Sequence, residues 1–290
     1  MKTLAVTGSS GFVGTSLKKH FELKGFKVIG IKRDDLKDIN KLTKIVNKAD
    51  VLINLAGANI INRWSESYKK LLYSSRIDTT KALIEAIEKA EYKPELLIST
   101  SAVGIYDNVG CYDEEYFNYS DDFLANLCKE WENTALQAQN YGVRTSIFRF
   151  GIVLGKGGAL EKMLPPFKLG VGGTIGDGSQ DFSFIHIEDL LNAYEYVIHN
   201  QSCEGVYNLT APTPTTNFGL TKALGKALHR PTIFPVPSFI LSLIFSEGAK
   251  VLTDGQCAKP KRLMDSGFIF KFETIEDAIN DLVVIKIKKD

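Results

Sequence analysis

The chain is short of cysteine, of excess charge of either sign and of long apolar runs. Its 290 residues hold four cysteines, Cys111, Cys128, Cys203 and Cys257, all far apart. There is no CxxC and no Cys/His cluster, which argues against a disulfide framework and a zinc site and predicts reduced thiols and no bound metal. Lys and Arg total 35 against 34 Asp and Glu, so the basic excess of a nucleic-acid binder is missing. The longest apolar stretch, Phe239 to Phe245, is broken by Ser242 and is far below the roughly 20 residues of a membrane span. It reads instead as the core of a C-terminal unit. The opening MKTLAVTGSSG has no apolar run of signal-peptide length before its first glycine. With 44% apolar and 24% charged residues, the composition is that of a folded globular protein. These absences together predict a soluble cytoplasmic chain without nucleic-acid or membrane partners.

Strand-like and helix-like segments alternate through the first half. Thr3 to Thr7, Phe26 to Ile31, Val51 to Leu55, Leu96 to Ser99 and Arg144 to Phe150 read as strands. Phe12 to Leu23, Leu42 to Asn47, Thr80 to Glu88 and Asp122 to Tyr141 read as helices between them. Strands apolar on both faces that alternate with helices predict a parallel sheet covered on both sides. Right-handed crossovers then make it doubly wound, a Rossmann-type α/β fold. After Phe150 the chain becomes rich in glycine and proline. The expected division is a dinucleotide-binding domain over residues 1–150 and a smaller α/β cap over 151–290, with about 180–210 packing back on the first domain.

The strongest local signal is TGSSGFVG, with Gly8, Gly11 and Gly14 directly after the first strand and opening the first helix. The first glycine permits a tight turn, the second lets backbone approach a pyrophosphate, and the third allows close helix–strand packing. The helix N-terminus supplies amide donors and a positive dipole end. Ser10, Phe12 and Val13 complete this dinucleotide-binding loop. The second strand ends Ile31-Lys32-Arg33, where an NAD enzyme would carry an acidic residue. Lys32 and Arg33 suit a 2′-phosphate, so the expected cofactor is NADP(H), with NAD(H) less favoured.

The GxxGxxG spacing, with NLAG at Asn54 to Gly57, resembles the short-chain dehydrogenase/reductase superfamily. The resemblance implies that Leu55, Ala56 and Gly57 lie beside the adenosine and its ribose. LISTSAVGIY at the end of the fourth strand is similar to the serine element of the extended enzymes, with Ser101 at the catalytic serine and Thr100 beside it. Those enzymes also use a Tyr and a Lys in YxxxK, the ammonium lowering the phenol pKa. None of the eleven tyrosines here has Lys four residues later. Counting back from Glu132, Leu124 falls at the Tyr position and Cys128 at the Lys position.

SAVGIY, FLANLCKEWE, RFGIVLGKGGALEKMLPPFKLGVGG, GDGSQDFSFIHIEDL, YNLTAPTP and KPKRLMDSGFIF together resemble one subgroup. It is the atypical NAD(P)-dependent epimerase/dehydratase-like group that also lacks YxxxK and ends in a domain of unknown function. The resemblance implies a Rossmann domain plus a small cap and no defined reaction. The subgroup usually has Gly where this chain has Asp107. Tyr106 is the first candidate for a substitute acid–base group, ahead of Glu132 and His186. Arg76, in SSRIDTT, resembles the subgroup's arginine facing the cofactor and is expected at a phosphate or the nicotinamide side. Gly155 to Gly178 and Gln180 correspond to where extended relatives bind the substrate's nucleotide. The resemblance admits a homodimer through helices around the fifth strand, although no residue pattern specifies one. The expected function is an NADP(H)-dependent oxidoreductase or epimerase acting on a small or nucleotide-linked substrate. The alternative is an NADP(H)-sensing regulator without turnover.

Overall fold

Leu4, Ala5, Val6 and Thr7 are all fully buried, so the strand they form has no solvent face and must lie inside a sheet covered on both sides. The computed structural model describes residues 1–283; the last part of the unit expected over 151–290 lies outside the described residues. In chain order the elements are β1 (Thr3–Thr7), α1 (Phe12–Leu23), β2 (Lys27–Ile31), α2 (Ile39–Val46), β3 (Val51–Asn54), α3 (Glu66–Ser74), α4 (Ile77–Lys89) and β4 (Leu96–Ala102). Then follow β5 (Cys111–Tyr112), α5 (Phe123–Leu136), β6 (Arg144–Phe150), β7 (Ile152–Gly155), α6 (Gly158–Lys168), β8 (Phe184–His186), α7 (Ile187–His199) and β9 (Gly205–Leu209). The chain continues with α8 (Asn217–Leu228), α9 (Ser238–Phe245), α10 (Lys250–Thr253), β10 (Cys257–Ala258), α11 (Lys261–Asp265) and α12 (Ile275–Val283).

Six strands pair in the order β2-β1-β3-β4-β6-β9, every neighbour parallel. The chain reverses its direction of travel across the sheet between β1 and β3, which opens a crevice at their C-terminal ends. One apolar core joins Leu17 and Phe21 of α1 to Leu190, Tyr194 and Val197 of α7. A second, on the other face, joins Leu42 and Val46 of α2, Leu83 and Ile87 of α4, and Ala135 of α5. Both α7 and β9 therefore belong structurally to the sheet layer. Strand β4 runs past Ser99 because its ladder with β6 continues to Ala102 opposite Phe150, placing Thr100 and Ser101 within the strand. The helix expected to reach Tyr141 ends at Leu136 and tightens into a 3₁₀ turn over Gln137–Tyr141, closed by Gly142 at φ 77°.

The C-terminal unit has its own core of Leu160, Phe167, Phe182, Leu220, Leu224, Phe272, Ile275 and Ile279. The Phe239 to Phe245 stretch is not part of it. Helix α9 has no buried residue, with Phe239 at 66% and Leu243 at 71% exposure. Ser238 and Ser242 share one face of this eight-residue helix and apolar side chains fill the others, a pattern that needs cover on several sides to be buried.

The expectation of four reduced thiols also requires correction. Cys128 and Cys203 are free and buried, whereas Cys111 and Cys257 form a disulfide. Strands β5 and β10 pair in parallel with these two residues opposite each other, a proximity invisible to sequence spacing across 146 residues. Alkylation of denatured, unreduced protein should label two cysteines, and four after reduction; mass spectrometry counts the adducts.

Candidate functional site

The turn after β1 is built by glycine. Gly8 has φ +64°, and a Cβ on it would lie 2.7 Å from the Leu55 carbonyl oxygen. A Cβ on Gly14 would meet Gly8 O at 2.3 Å, so α1 can pack this closely only without a side chain there. Gly11 differs: a Cβ on it would approach nothing nearer than Gly8 O at 3.4 Å, an ordinary contact. The fold itself therefore makes no demand for glycine at position 11. Its small size keeps the N-terminus of α1 open, and no side chain caps that terminus. By contrast Asp38, Ser65, Asp122 and Thr216 cap α2, α3, α5 and α8. The first-turn amides of α1, through Phe12, Val13 and Gly14, are thus available to an anion. The ring of Phe12 is turned away and packs under Gly155, Gly157 and Gly158, whose added Cβ atoms would come within 2.5 to 2.9 Å of it. Part of the second glycine-rich segment therefore clamps the first loop.

Sequence reasoning missed the polar chain that positions the Leu55-Ala56-Gly57 loop. Thr7 Oγ1 donates to Asn54 Oδ1 at 2.7 Å and accepts the Leu55 and Ala56 amides, both at 3.1 Å. Asn54 Nδ2 continues to Thr80 Oγ1 at 2.9 Å and Ser99 Oγ at 3.3 Å. The buried polar residues at the ends of apolar strands were the available signal, because each needs a partner. Lys32 and Arg33 stand exposed beyond β2, and among the described residues neither forms an ion pair. Ser10 is exposed on the glycine turn, and Thr100 Oγ1 is buried beside the Tyr194 hydroxyl.

Ser101 is buried at the end of β4, and its hydroxyl donates to Glu132 Oε1 at 2.6 Å. Arg149, next to the C-terminal end of β6, holds the same carboxylate through Nε at 2.8 Å and Nη2 at 2.7 Å. Its Nη1 donates to the Tyr106 hydroxyl and its Nη2 to that of Tyr119, each at 2.8 Å. Tyr106 donates onward to Asn208 Oδ1 at 2.9 Å. Tyr106 is fully buried, and burial, opposed by the Arg149 cation, pushes its phenol up to about 12. The side chain singled out for acid–base work is thus a sealed, neutral member of a structural network. Burial disfavours the Arg149 charge, but the Glu132 hydrogen bonds and charge outweigh it and hold the guanidinium above its ordinary pKa. An arginine amid the apolar positions of RTSIFRF was a legible demand for a buried anion.

The Tyr–Lys positions hold side chains of a different kind. Leu124 packs over Gly104, where a Cβ would lie 2.7 Å from Leu124 Cδ2. Cys128 is buried, and burial pushes its thiol up to about 12. Arg76 approaches Gly57, whose Cβ would lie 3.0 Å from Arg76 Cζ. His186 caps α7, its Nδ1 accepting the Glu188 amide at 3.1 Å, and its ring lies 3.7 Å from that of Phe272. Gln180 spends its amide on Ile175 and Leu252 carbonyls. Asp107 accepts from the Tyr112 hydroxyl at 2.5 Å and the Val109 amide at 3.0 Å, closing its own turn. Removing one partner of the Glu132–Arg149 pair leaves a buried charge. Glu132→Leu or Arg149→Met alone should therefore cost about 3–5 kcal/mol of stability, and the two together less than either; urea unfolding measures all three variants.

Known proteins share this chain's sequence and its fold. The model of the NAD dependent epimerase/dehydratase family matches residues 4–210, and a domain of unknown function, DUF1731, matches 236–282. An epimerase family protein of Staphylococcus aureus (strain MRSA252) is 37% identical, the match covering 98% of this chain and 99% of the relative. The crystal structure of human epimerase family protein SDR39U1 (isoform 2) with NADPH is 33% identical with a TM-score of 0.90, covering 97% of this chain and 99% of that one. UDP-glucose 4-epimerase of Thermus thermophilus, in complex with NAD, shares the fold at 19% identity and a TM-score of 0.75, with 97% of each chain covered. The match over both parts of the chain, and the absence of YxxxK, make this chain a member of the NAD dependent epimerase/dehydratase family, in its atypical short-chain dehydrogenase/reductase-like group.

Proposed function

We propose that the protein is an NADP(H)-dependent oxidoreductase or epimerase acting on a small or nucleotide-linked substrate, without a phenol–ammonium pair. The observation that carries this reading is the uncapped N-terminus of α1, held open by Gly11, with Lys32 and Arg33 exposed beyond β2. These residues fit a dinucleotide with a 2′-phosphate: amides for the pyrophosphate and two cations for the extra charge. The human relative crystallised with NADPH supports the same choice. Bound there, the nicotinamide would supply hydride acceptance or donation. The chain's own residues would bind and orient. The hydrogen of Ser101 is committed to Glu132, so any contact its oxygen makes with a substrate hydroxyl is as an acceptor, with Arg149 fixing the carboxylate behind it. Tyr106 contributes rigidity to that arrangement.

One observation favours the second reading, a sensor that binds NADP(H) without turnover. Leu124 and the sealed Cys128 stand where the family's proton-transfer pair would be, and neither can move a proton near neutral pH. Hydride exchange between NADPH and a panel of carbonyl compounds separates the two. Exchange that falls in Ser101→Ala supports the enzyme, while no exchange with any carbonyl supports the sensor. For the cofactor itself, calorimetry should show NADPH preferred over NADH. The Lys32→Ala/Arg33→Ala variant should lose about tenfold to a hundredfold in NADPH affinity, the range expected when charge-assisted hydrogen bonds are removed. NADH affinity should be unchanged; an equal loss for both would sink the 2′-phosphate assignment.

A further inference from the structure

Helix α9 turns its less apolar face to the protein. Leu241 and Phe245, its half-buried residues, share a face with Ser238 and Ser242, and a Cβ on Gly176 would lie 2.8 Å from Ser238 Oγ. The opposite half consists of Phe239, Ile240, Leu243 and Ile244, all exposed, and the preceding Ile233 and Phe234 are exposed as well. Both ends of the helix are tied down. Val236 N donates to Thr174 O at 2.7 Å before it, while Arg63 Nη1 donates to Leu243 O at 3.1 Å and Trp64 N to Phe245 O at 3.3 Å at its far end. An apolar surface of this extent, held in place yet uncovered, marks an interaction site. The charge around it has one sign. No acidic residue occurs from Gly205 to Ser246, whereas Lys222, Lys226 and Arg230 are exposed there. Lys222 Nζ lies 5.1 Å from the Phe218 ring centroid and 3.4 Å from Thr232 Oγ1, beside Ile233. Arg230 Cδ lies 3.9 Å from the place of a Cβ on Gly170, and Lys168 is exposed two residues before that glycine. Of the acids bordering the surface, Glu247 pairs with Lys69 Nζ at 2.7 Å, and Asp177 accepts from the Ser179 amide and hydroxyl.

We propose that this face docks the protein on an anionic lipid surface. The apolar half of α9 enters the boundary between headgroups and acyl chains, and Lys168, Lys222, Arg230 and Arg63 meet acidic headgroups. Exposed apolar side chains bordered by Lys and Arg are the pattern of a helix that lies in the plane of a membrane interface. Each cation near a negatively charged leaflet adds to the attraction. A second copy of the chain fits the face less well: a twofold contact brings one patch against itself, and would set these cations against their own counterparts. Docking of this kind needs no membrane-spanning segment, and among the described residues no helix is long and apolar enough to cross a bilayer. The composition argument against a membrane partner bears on spans alone, and the Phe239 to Phe245 run counted there as core is the segment that stands uncovered. Because Arg63 and Trp64 hold the end of α9, the docked face adjoins the loop that follows β3.

The test is co-sedimentation of the intact protein with vesicles of phosphatidylcholine, and of phosphatidylcholine containing about one third phosphatidylglycerol. The wild type should pellet with the anionic vesicles, be released as salt is raised, and remain in solution with phosphatidylcholine alone. Lys222→Gln/Arg230→Gln should weaken binding about 25-fold, roughly fivefold for each cation. Phe239→Ser/Leu243→Ser should weaken it about a hundredfold or more, the loss of two buried apolar side chains. Both variants should melt as the wild type does, because the altered side chains are exposed. A wild type that fails to pellet with anionic vesicles would overturn the inference. So would equal binding to both vesicles, or unchanged binding in either variant. A wild-type dimer in analytical ultracentrifugation that becomes a monomer in Phe239→Ser/Leu243→Ser would assign the face to a second copy and overturn it too.

Discussion

A single buried ion pair gathers the C-terminal edge of the sheet. The carboxylate of Glu132 on α5 and the guanidinium of Arg149 on β6 are both nearly inaccessible, at 6% and 2% exposure. Isolated, either charge would carry a desolvation penalty of several kcal/mol. Together they share two short hydrogen bonds, and Ser101, Tyr106 and Tyr119 add three more around the pair. Ser101 at the end of β4, Tyr106 and Tyr119 on the following loop, and through Tyr106 the Asn208 side chain of β9 are all referred to this one pair. Asn208 in turn binds the Lys259 carbonyl and Glu114, so the constraint extends to the segment leading into the C-terminal unit. Moving any member would strand a buried polar group, which makes the arrangement rigid.

The same network explains why an intact-looking serine element need not behave as it does beside a phenol. A hydroxyl whose hydrogen is given to a carboxylate can only accept from a ligand. Tyr106 cannot assist, because its own hydroxyl is held between Arg149 and Asn208 away from solvent. The cleft therefore keeps its oxygen and its cations, while neither Tyr106 nor Cys128 supplies a mobile proton near neutral pH. The two ends of the crevice also differ in character. The β1–β2 end offers backbone amides and exposed cations; the β3–β4 end offers a half-buried guanidinium and a fixed serine. Between them, Thr7 and Asn54 tie the loop after β3 to the glycine turn, so the two halves of the site are held in register by side chains inside the sheet.

Much of the fold is legible in the sequence because it is written in local patterns. Apolar strands such as Val51–Asn54, every residue of which is buried, leave no solvent face and so require a parallel sheet. Gly8, Gly11 and Gly14 name their own turn. The loss of YxxxK is a local fact and needs no coordinates. Less of the site can be read. Tyr106 is attractive by its closeness to Ser101 in the chain, but closeness in sequence says nothing about which way a ring points. The Phe239 to Phe245 run reads as core by composition, although burial depends on having a surface to pack against. Arg149 and Glu132 each carry a hint, a charge among apolar positions, but only their pairing gives it meaning.

The amino-acid sequence by itself determined the doubly wound sheet, the glycine cradle and the absence of the proton-transfer pair. Each follows from periodicity, backbone sterics or side-chain chemistry acting within a few residues. The tertiary structure alone decided that Cys111 meets Cys257, that Arg149 finds Glu132, and that Arg76 stands against Gly57 and Trp131. Those contacts join residues brought together by strand order and helix packing, and a burial penalty is relieved only by a partner that the whole fold delivers.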